Sequence, residues 1–325
     1  MDNQKTKLAV IALGGNALSR GNQRGTVEEQ NANTVDTLES LIYLARDGYN
    51  LIISHGNGPQ VGSLLADNAA GIEMYGNAVM PMDVCVAFTQ GQLGYMIERN
   101  LRNILNKHGI RREVISMVSQ VIVDKNDPAM RDPVKRIGKI YNRAEADLLA
   151  ASKGWAFKEE PKVDGGWRRV VPSPSPVDFM NADLVERLAR AGNIVITAGG
   201  GGIPVYRDEA GEIHPVEGVI DKDLASAMVG IRVHADELYI LTDVPYIYQN
   251  YRQPDQKILE FLDYRDTLAH LRAGTFAEGS MAPKIRACLH FVKHGGAKAV
   301  ITEATKLEDR RYGSKITMNY EDDRR

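Results

Sequence analysis

Three clusters of glycine stand directly behind three short apolar runs, and that placement restricts the possible folds more than any other feature of the chain. Gly14 and Gly15 follow Leu8–Leu13, Gly56 and Gly58 follow Leu51–Ser54, and Gly199 to Gly202 follow Ile194–Ala198. Runs of this length and β-branched content read as strands buried on both faces. Further runs lie at Val114–Val123, Leu238–Thr242 and Ala299–Thr302. Helical spacing fills most of the intervals between them. Thr26 and Glu29 form a capping box, after which Val35, Leu38, Ile42 and Ala45 recur three or four residues apart, with Gly48 as the C-terminal stop. Asp83 opens a second helix that aligns Ile97, Leu101, Ile104 and Leu105, and Asp178 and Ser280 are expected to cap two more. Strands alternating with helices imply parallel pairing through right-handed crossovers, hence a doubly wound three-layer αβα sandwich.

In an open parallel sheet, ligands bind beyond the carboxyl ends of the strands. Three glycine turns at that edge leave backbone N–H groups uncovered beside helix N-termini, which makes an anion-binding rim. The chain has no G-x-x-x-x-G-K-[ST] and no protein-kinase motif set, and His55–Gly62 spaces its glycines as G-x-G-x-x-x-G rather than as the dinucleotide fingerprint. Four lysines suit phosphate: Lys125 in V-D-K-N-D-P, Lys139 in R-I-G-K-I-Y, Lys222 in D-K-D-L-A-S and Lys284 in G-S-M-A-P-K. Lys222 and Lys284 fall where helices begin, and a cation there opposes the helix dipole unless an anion joins it. Asp221 and Asp223 flank Lys222, as helix caps or as carboxylates for a magnesium shell. His290 and His294 lie four apart on a helix but lack the glutamate and third ligand of a zinc site.

The formal net charge of −2 over 325 residues offers no global footprint for nucleic acid or an anionic membrane, so any anionic substrate must meet local positive charge. No apolar stretch has the length of a signal peptide or a membrane helix, which points to a cytoplasmic protein. The two cysteines, Cys85 and Cys288, sit in apolar helical contexts and read as buried thiols. The segment from about residue 124 to 176 breaks the strand–helix rhythm. It is rich in proline and charge and carries both tryptophans, Trp155 and Trp167. Its aromatic content argues for an ordered insertion rather than a linker.

These motifs resemble those of carbamate kinase in the amino-acid-kinase family. The matching blocks are A-L-G-G-N-A, H-G-N-G-P-Q-V-G, V-D-K-N-D-P, W-R-R-V-V-P-S-P, G-G-G-G-I-P-V, V-I-D-K-D-L-A-S, L-T-D-V and G-S-M-A-P-K, in the family's order and reaching about Ile301. The resemblance implies one domain over residues 1–325, a mainly parallel sheet of about eight strands, a protruding lid subdomain at about 124–176, and a homodimer. It implies reversible phosphoryl transfer between ATP and carbamate with Mg2+. Under it Gly14, Gly15 and Asn16 line the transferred phosphoryl group, and Gly56, Asn57 and Gly58 hold the carbamate side beside a wall of Gly200 and Gly201. Lys125 reaches in from the insertion, Lys222 stabilises the transition state, and Asp223 positions that lysine or the metal. Lys284 holds the ADP phosphates, and Thr242, Asp243, Tyr248 and Met281 border the nucleoside. Ala282 stands where the family has glycine, and beyond Ile301 the family's closing strand and G-T turn are not matched. Another acyl-phosphate-forming kinase, such as one acting on acetylglutamate, needs an added side-chain pocket. A non-catalytic nucleotide-binding relative is the alternative outside enzymes.

Overall fold

The computed structural model describes residues 6–15, 18, 23–160, 163–278 and 280–319. The main sheet comprises β1 (Leu8–Leu13), β2 (Asn50–His55), β3 (Val114–Ser116), β4 (Ile194–Ile196), β5 (Glu237–Thr242), β6 (Phe261–Asp263), β7 (Lys298–Glu303) and β8 (Ser314–Thr317). Its order is β6-β8-β7-β5-β1-β2-β4-β3. All neighbours are parallel except β7 and β8. The expected eight-stranded, mainly parallel sheet is therefore present.

Among the described residues, eight α-helices accompany the strands: α1 (Val27–Arg46), α2 (Gly58–Tyr75), α3 (Met82–Lys107), α4 (Arg143–Lys153), α5 (Ala182–Arg190), α6 (Lys222–Arg232), α7 (Tyr264–Arg272) and α8 (Met281–Lys293). Strand β1 shows why the sandwich has three layers. Leu8, Val10 and Ala12 join a core with residues of α5, α6 and α8, while Ala9, Ile11 and Leu13 join a second core with α1 and α3. Alternate side chains of a strand point to opposite faces, so six consecutive apolar residues bury both. Each fully buried leucine or isoleucine contributes roughly 1.5–3 kcal/mol.

The capping box at Thr26 and Glu29 forms as expected, and Gly48 adopts φ +81° just past the end of α1. Cys85 and Cys288 are buried free thiols. Three expectations fail. Asp178 caps no helix: it lies in the strand Pro176–Phe179, and α5 starts from Asn181 in the left-handed conformation. Val114–Val123 is not one strand but two. Its first three residues pair in the main sheet, whereas Gln120–Val123 joins a second sheet with Ile203–Arg207, Ile213–Pro215 and Pro176–Phe179. Between the halves, Ser119 turns aside to bond with Gln90 and Ala198. The unmatched C-terminal stretch also supplies a closing strand after all, β8, antiparallel to β7.

Residues inside the proline-rich segment fold into a three-stranded antiparallel sheet in the order Lys135–Tyr141, Trp167–Val171, Ala156–Glu159, carrying α4. Arg169 lies over the Trp155 ring at 4.1 Å and Arg143 over Trp167 at 4.4 Å, cation–π contacts that fix the two tryptophans. A third core, which includes Val61, Val86, Ile137 and Val205, ties this sheet to α2, α3 and the second sheet.

Candidate active site

The three glycine turns converge as the strand ends require. Gly56 N–H donates to the Leu13 carbonyl at 3.2 Å. A β-carbon placed on Gly56 would lie 3.5 Å from Lys222 Cδ and 3.6 Å from Gly15 N. A β-carbon on Gly14 would come within 2.7 Å of the Leu241 carbonyl at the end of β5. The four-glycine turn is the most constrained. Gly200 has φ +66° and Gly201 φ +92°, and their added β-carbons would collide with Asn57 Nδ2 at 2.2 Å and the Ile220 carbonyl at 2.3 Å. Only glycine meets both demands. Asn16 lies outside the described residues.

At the centre, Asp223 is buried and pairs with two lysines. Lys222 Nζ bonds Asp223 Oδ1, and Lys284 Nζ bonds Asp223 Oδ2 at 2.8 Å. All three side chains are at most 19% exposed. Lys222 begins α6 and Lys284 lies in the first turn of α8, so two positive helix ends meet two ammonium groups and one carboxylate. Burial disfavours the Asp223 carboxylate, but the two lysines outweigh it and hold its pKa far below the usual range. Burial pushes Lys222 down despite Asp223, with Lys284 adding to the shift. Lys284 also pays desolvation, yet its contact with Asp223 leaves its pKa raised. The cluster has an excess of positive charge, the condition for attracting an oxyanion.

Asp221 caps α6 through the Asp223 and Leu224 N–H groups at 2.9 and 3.4 Å. It also receives Lys135 Nζ at 2.9 Å, so a lysine of the inserted sheet reaches the head of α6. Sequence reasoning missed Lys135, which stands among several basic residues in P-V-K-R-I-G without a distinguishing neighbour. It missed Gln90 as well. The Gln90 amide donates to the Ser119 and Gly199 carbonyls and accepts from Ser119 N–H, pinning the four-glycine turn to α3. A polar pair, Thr89 and Gln90, on the buried side of α3 was the available signal; Asn57 donates to Thr89 at 2.9 Å.

The other expected residues are more dispersed. Lys125 is exposed, with its ammonium 5.5 Å from the Tyr206 ring centroid rather than in the central cluster. Lys139 lies over Tyr141 at 4.8 Å. Thr242 donates to Asp243 at 3.1 Å just past β5, and Tyr248 packs with Tyr251, ring centroids 5.5 Å apart. Met281 opens α8 against the core, and the methyl of Ala282 is fully buried. His290 and His294 have ring centroids 4.4 Å apart, and among the described residues no third metal-type side chain groups with them.

His55 is buried, its Nδ1–H donating to the Gly56 carbonyl at 3.1 Å. Burial lowers its pKa from 6.5 to about 4; that bond opposes the shift and Lys222 adds to it. The unfolded chain therefore binds a proton near pH 6.5 that the native chain refuses until about pH 4. Stability should fall as pH drops through this window, by up to ~3 kcal/mol, and His55→Gln should flatten that slope in urea titrations.

This sheet order, glycine rim and paired lysines at two helix starts define a phosphate-handling member of the amino acid kinase family, and the chain belongs to that family, matching it over residues 7–303. Within the family it groups with the carbamate kinases. It is 47% identical over 296 residues to the carbamate kinase of Thermococcus kodakarensis, covering 91% of this chain and 93% of that one. It is 44% identical over 297 residues to that of Pyrococcus horikoshii, covering 91% and 94%. Among solved structures, carbamate kinase from Giardia lamblia bound to AMP-PNP superposes with TM-score 0.88 at 35% identity, covering 96% of this chain and 98% of that one.

Proposed function

We propose that this chain is a carbamate kinase, catalysing carbamoyl phosphate + ADP to ATP + carbamate reversibly, the carbamate then decomposing to ammonia and CO2. The observation that carries the reading is the meeting of Gly15, Gly56 and Lys222 beside the buried Lys222–Asp223–Lys284 cluster. Carbamate is already an oxyanion, so neither direction needs a general base or acid. The reaction needs in-line alignment and neutralisation of charge on the phosphoryl oxygens. Preorganised N–H groups and ammonium groups supply both.

In this mechanism Gly14 and Gly15 hold the phosphoryl group, and Gly56, Asn57 and Gly58 hold the carbamate against Gly200 and Gly201. Lys222 stabilises charge on the phosphoryl group in flight. Lys284 holds the ADP phosphates, with Thr242, Asp243, Tyr248 and Met281 at the nucleoside. Asp223 keeps both lysines charged and oriented. Both of its oxygens are occupied by those lysines, and Asp221 is engaged by Lys135 and the head of α6. So sparse a carboxylate set fits magnesium that would be held mostly by nucleotide phosphates and water, with Asp223 as the protein carboxylate that would support it. Bound there, the ion would neutralise phosphate charge.

The sheet and helix of the proline-rich segment act as a lid subdomain within a single domain, with Lys125 swinging from Tyr206 toward the phosphoryl group as the lid closes. Exposed Phe88 and Tyr95 of α3 offer an apolar surface for a homodimer. No described helix is long and apolar enough to cross a membrane, in keeping with a cytoplasmic enzyme.

The test is ATP formation from carbamoyl phosphate, ADP and magnesium, with acetyl phosphate as the competing donor. Turnover with carbamoyl phosphate well above that with acetyl phosphate supports the reading, and ADP binding without turnover sinks it. Lys125→Ala should lower kcat/KM by about tenfold or more with unchanged thermal stability, because the exposed side chain does nothing for the core.

A further inference from the structure

Asn57 stands at the head of α2, where an asparagine side chain ordinarily caps the first free N–H groups of a helix. Here it makes no such bond. Its Nδ2 donates instead to Thr89 Oγ1 of α3 at 2.9 Å. Thr89 Oγ1 in turn donates to the Val86 carbonyl at 2.8 Å. A hydroxyl has one proton, so toward Asn57 the threonine can only accept. The side-chain amide is thereby held in one of its two orientations, with the NH2 toward α3 and Oδ1 turned away from it.

That oxygen is an acceptor with no partner. Asn57 is only 6% exposed, and the bond to Thr89 is its one side-chain hydrogen bond among the described residues. Yet Oδ1 is not one of the polar atoms sealed away from solvent, so it faces open space. The four-glycine turn keeps that space clear, since a β-carbon on Gly200 would lie 2.6 Å from Oδ1. On either side of Asn57 stand Gly56, packed near Lys222, and Gly58, the first residue of α2. An open acceptor thus sits in a rim otherwise built from donors, the backbone N–H and ammonium groups. The oxygens of an anion gain nothing from it; its partner must bring an N–H or O–H of its own.

We infer that Asn57 Oδ1 accepts a hydrogen bond from the amino group of the carbamoyl moiety, and that Thr89 is the positioning residue that keeps Oδ1 on the substrate side. This rests on the carbamate kinase reading and specifies how that site tells a carbamoyl group from an acyl group of the same size. Carbamoyl phosphate and acetyl phosphate differ only in carrying NH2 or CH3 on the acyl carbon. The carbamoyl nitrogen is planar, with its lone pair drawn into the carbonyl, so it donates and does not accept. With a methyl in its place, Oδ1 loses water and gains no partner. A site left with an unpaired buried polar group rejects the wrong substrate more strongly than an apolar pocket does.

The experiment compares kcat/KM for carbamoyl phosphate and for acetyl phosphate at saturating magnesium and ADP. Thr89→Val keeps the shape but offers Asn57 no acceptor, so the amide is free to turn its NH2 toward the substrate. The ratio of the two kcat/KM values should fall about tenfold or more, with the KM for ADP unchanged. Thr89→Ser keeps the hydroxyl and should restore most of the ratio, whereas Asn57→Ala should lose it as Thr89→Val does. A loss of folded protein lowers both rates alike, so the ratio reads positioning rather than stability. A parent that makes no ATP from carbamoyl phosphate overturns the proposed function and this inference with it. A parent that makes it, beside a Thr89→Val variant with the same ratio or a Thr89→Ser variant no better than Thr89→Val, overturns the inference alone.

Discussion

Lys222→Ala is expected to lower kcat by ~10²–10³ with little change in Tm, the loss seen when one preorganised charge donor is removed from an oxyanion site. The side chain stands at the first residue of α6, beside Gly56 and Gly15, and its burial makes each of its interactions stronger than in water. The fold should tolerate the change because Asp223 retains Lys284 at 2.8 Å, and because Asp221 rather than Lys222 caps the helix. Steady-state kinetics with carbamoyl phosphate and ADP, alongside a melting curve, check both halves. Turnover close to that of the parent would remove Lys222 from the mechanism.

Asp223→Ala should damage stability as well as activity. It leaves two ammonium groups, on Lys222 and Lys284, buried side by side with no carboxylate between them. Removing one partner from a buried ion cluster costs about 3–5 kcal/mol, because the surviving charges keep their desolvation penalty. Lys222 limits the loss by giving up its proton, since burial already lowers its pKa. Denaturant unfolding should therefore show a large drop at neutral pH, partly recovered at higher pH. Sulfate or phosphate should also restore some stability by taking the carboxylate's place. A variant as stable as the parent would mean that Asp223 does not hold the pair together.

Much of this candidate site was legible because its turns are built of glycine. Gly14, Gly15, Gly56, Gly200 and Gly201 stand at strand ends, and a strand followed by glycine is a local pattern. Lys222 and Lys284 were legible for a similar reason, as cations at helix starts. Lys135 and Gln90 were not. Lys135 meets Asp221 across 86 residues and Gln90 meets Gly199 across 109, and no local pattern encodes such pairings. The failed helix cap at Asp178 and the divided strand at Val114–Val123 have one cause. Val114–Val123 lies where the chain leaves the main sheet for the second one, Asp178 lies in the strand of that second sheet from which the chain returns through α5 to β4, and the local residue pattern marks neither change of partner.

The sequence by itself determined the alternation of strand and helix, the double-faced burial of β1 and the edge at which the glycine turns gather. These follow from periodicity and from the conformational freedom of glycine, properties of neighbouring residues. Tertiary structure alone decided that Lys222 and Lys284 share Asp223, that a lysine from the inserted sheet reaches the head of α6, and that the divergent C-terminal stretch returns as β8 antiparallel to β7. Such arrangements depend on which surfaces meet when distant segments pack, and the charges involved acquire their strength only once that packing has excluded water.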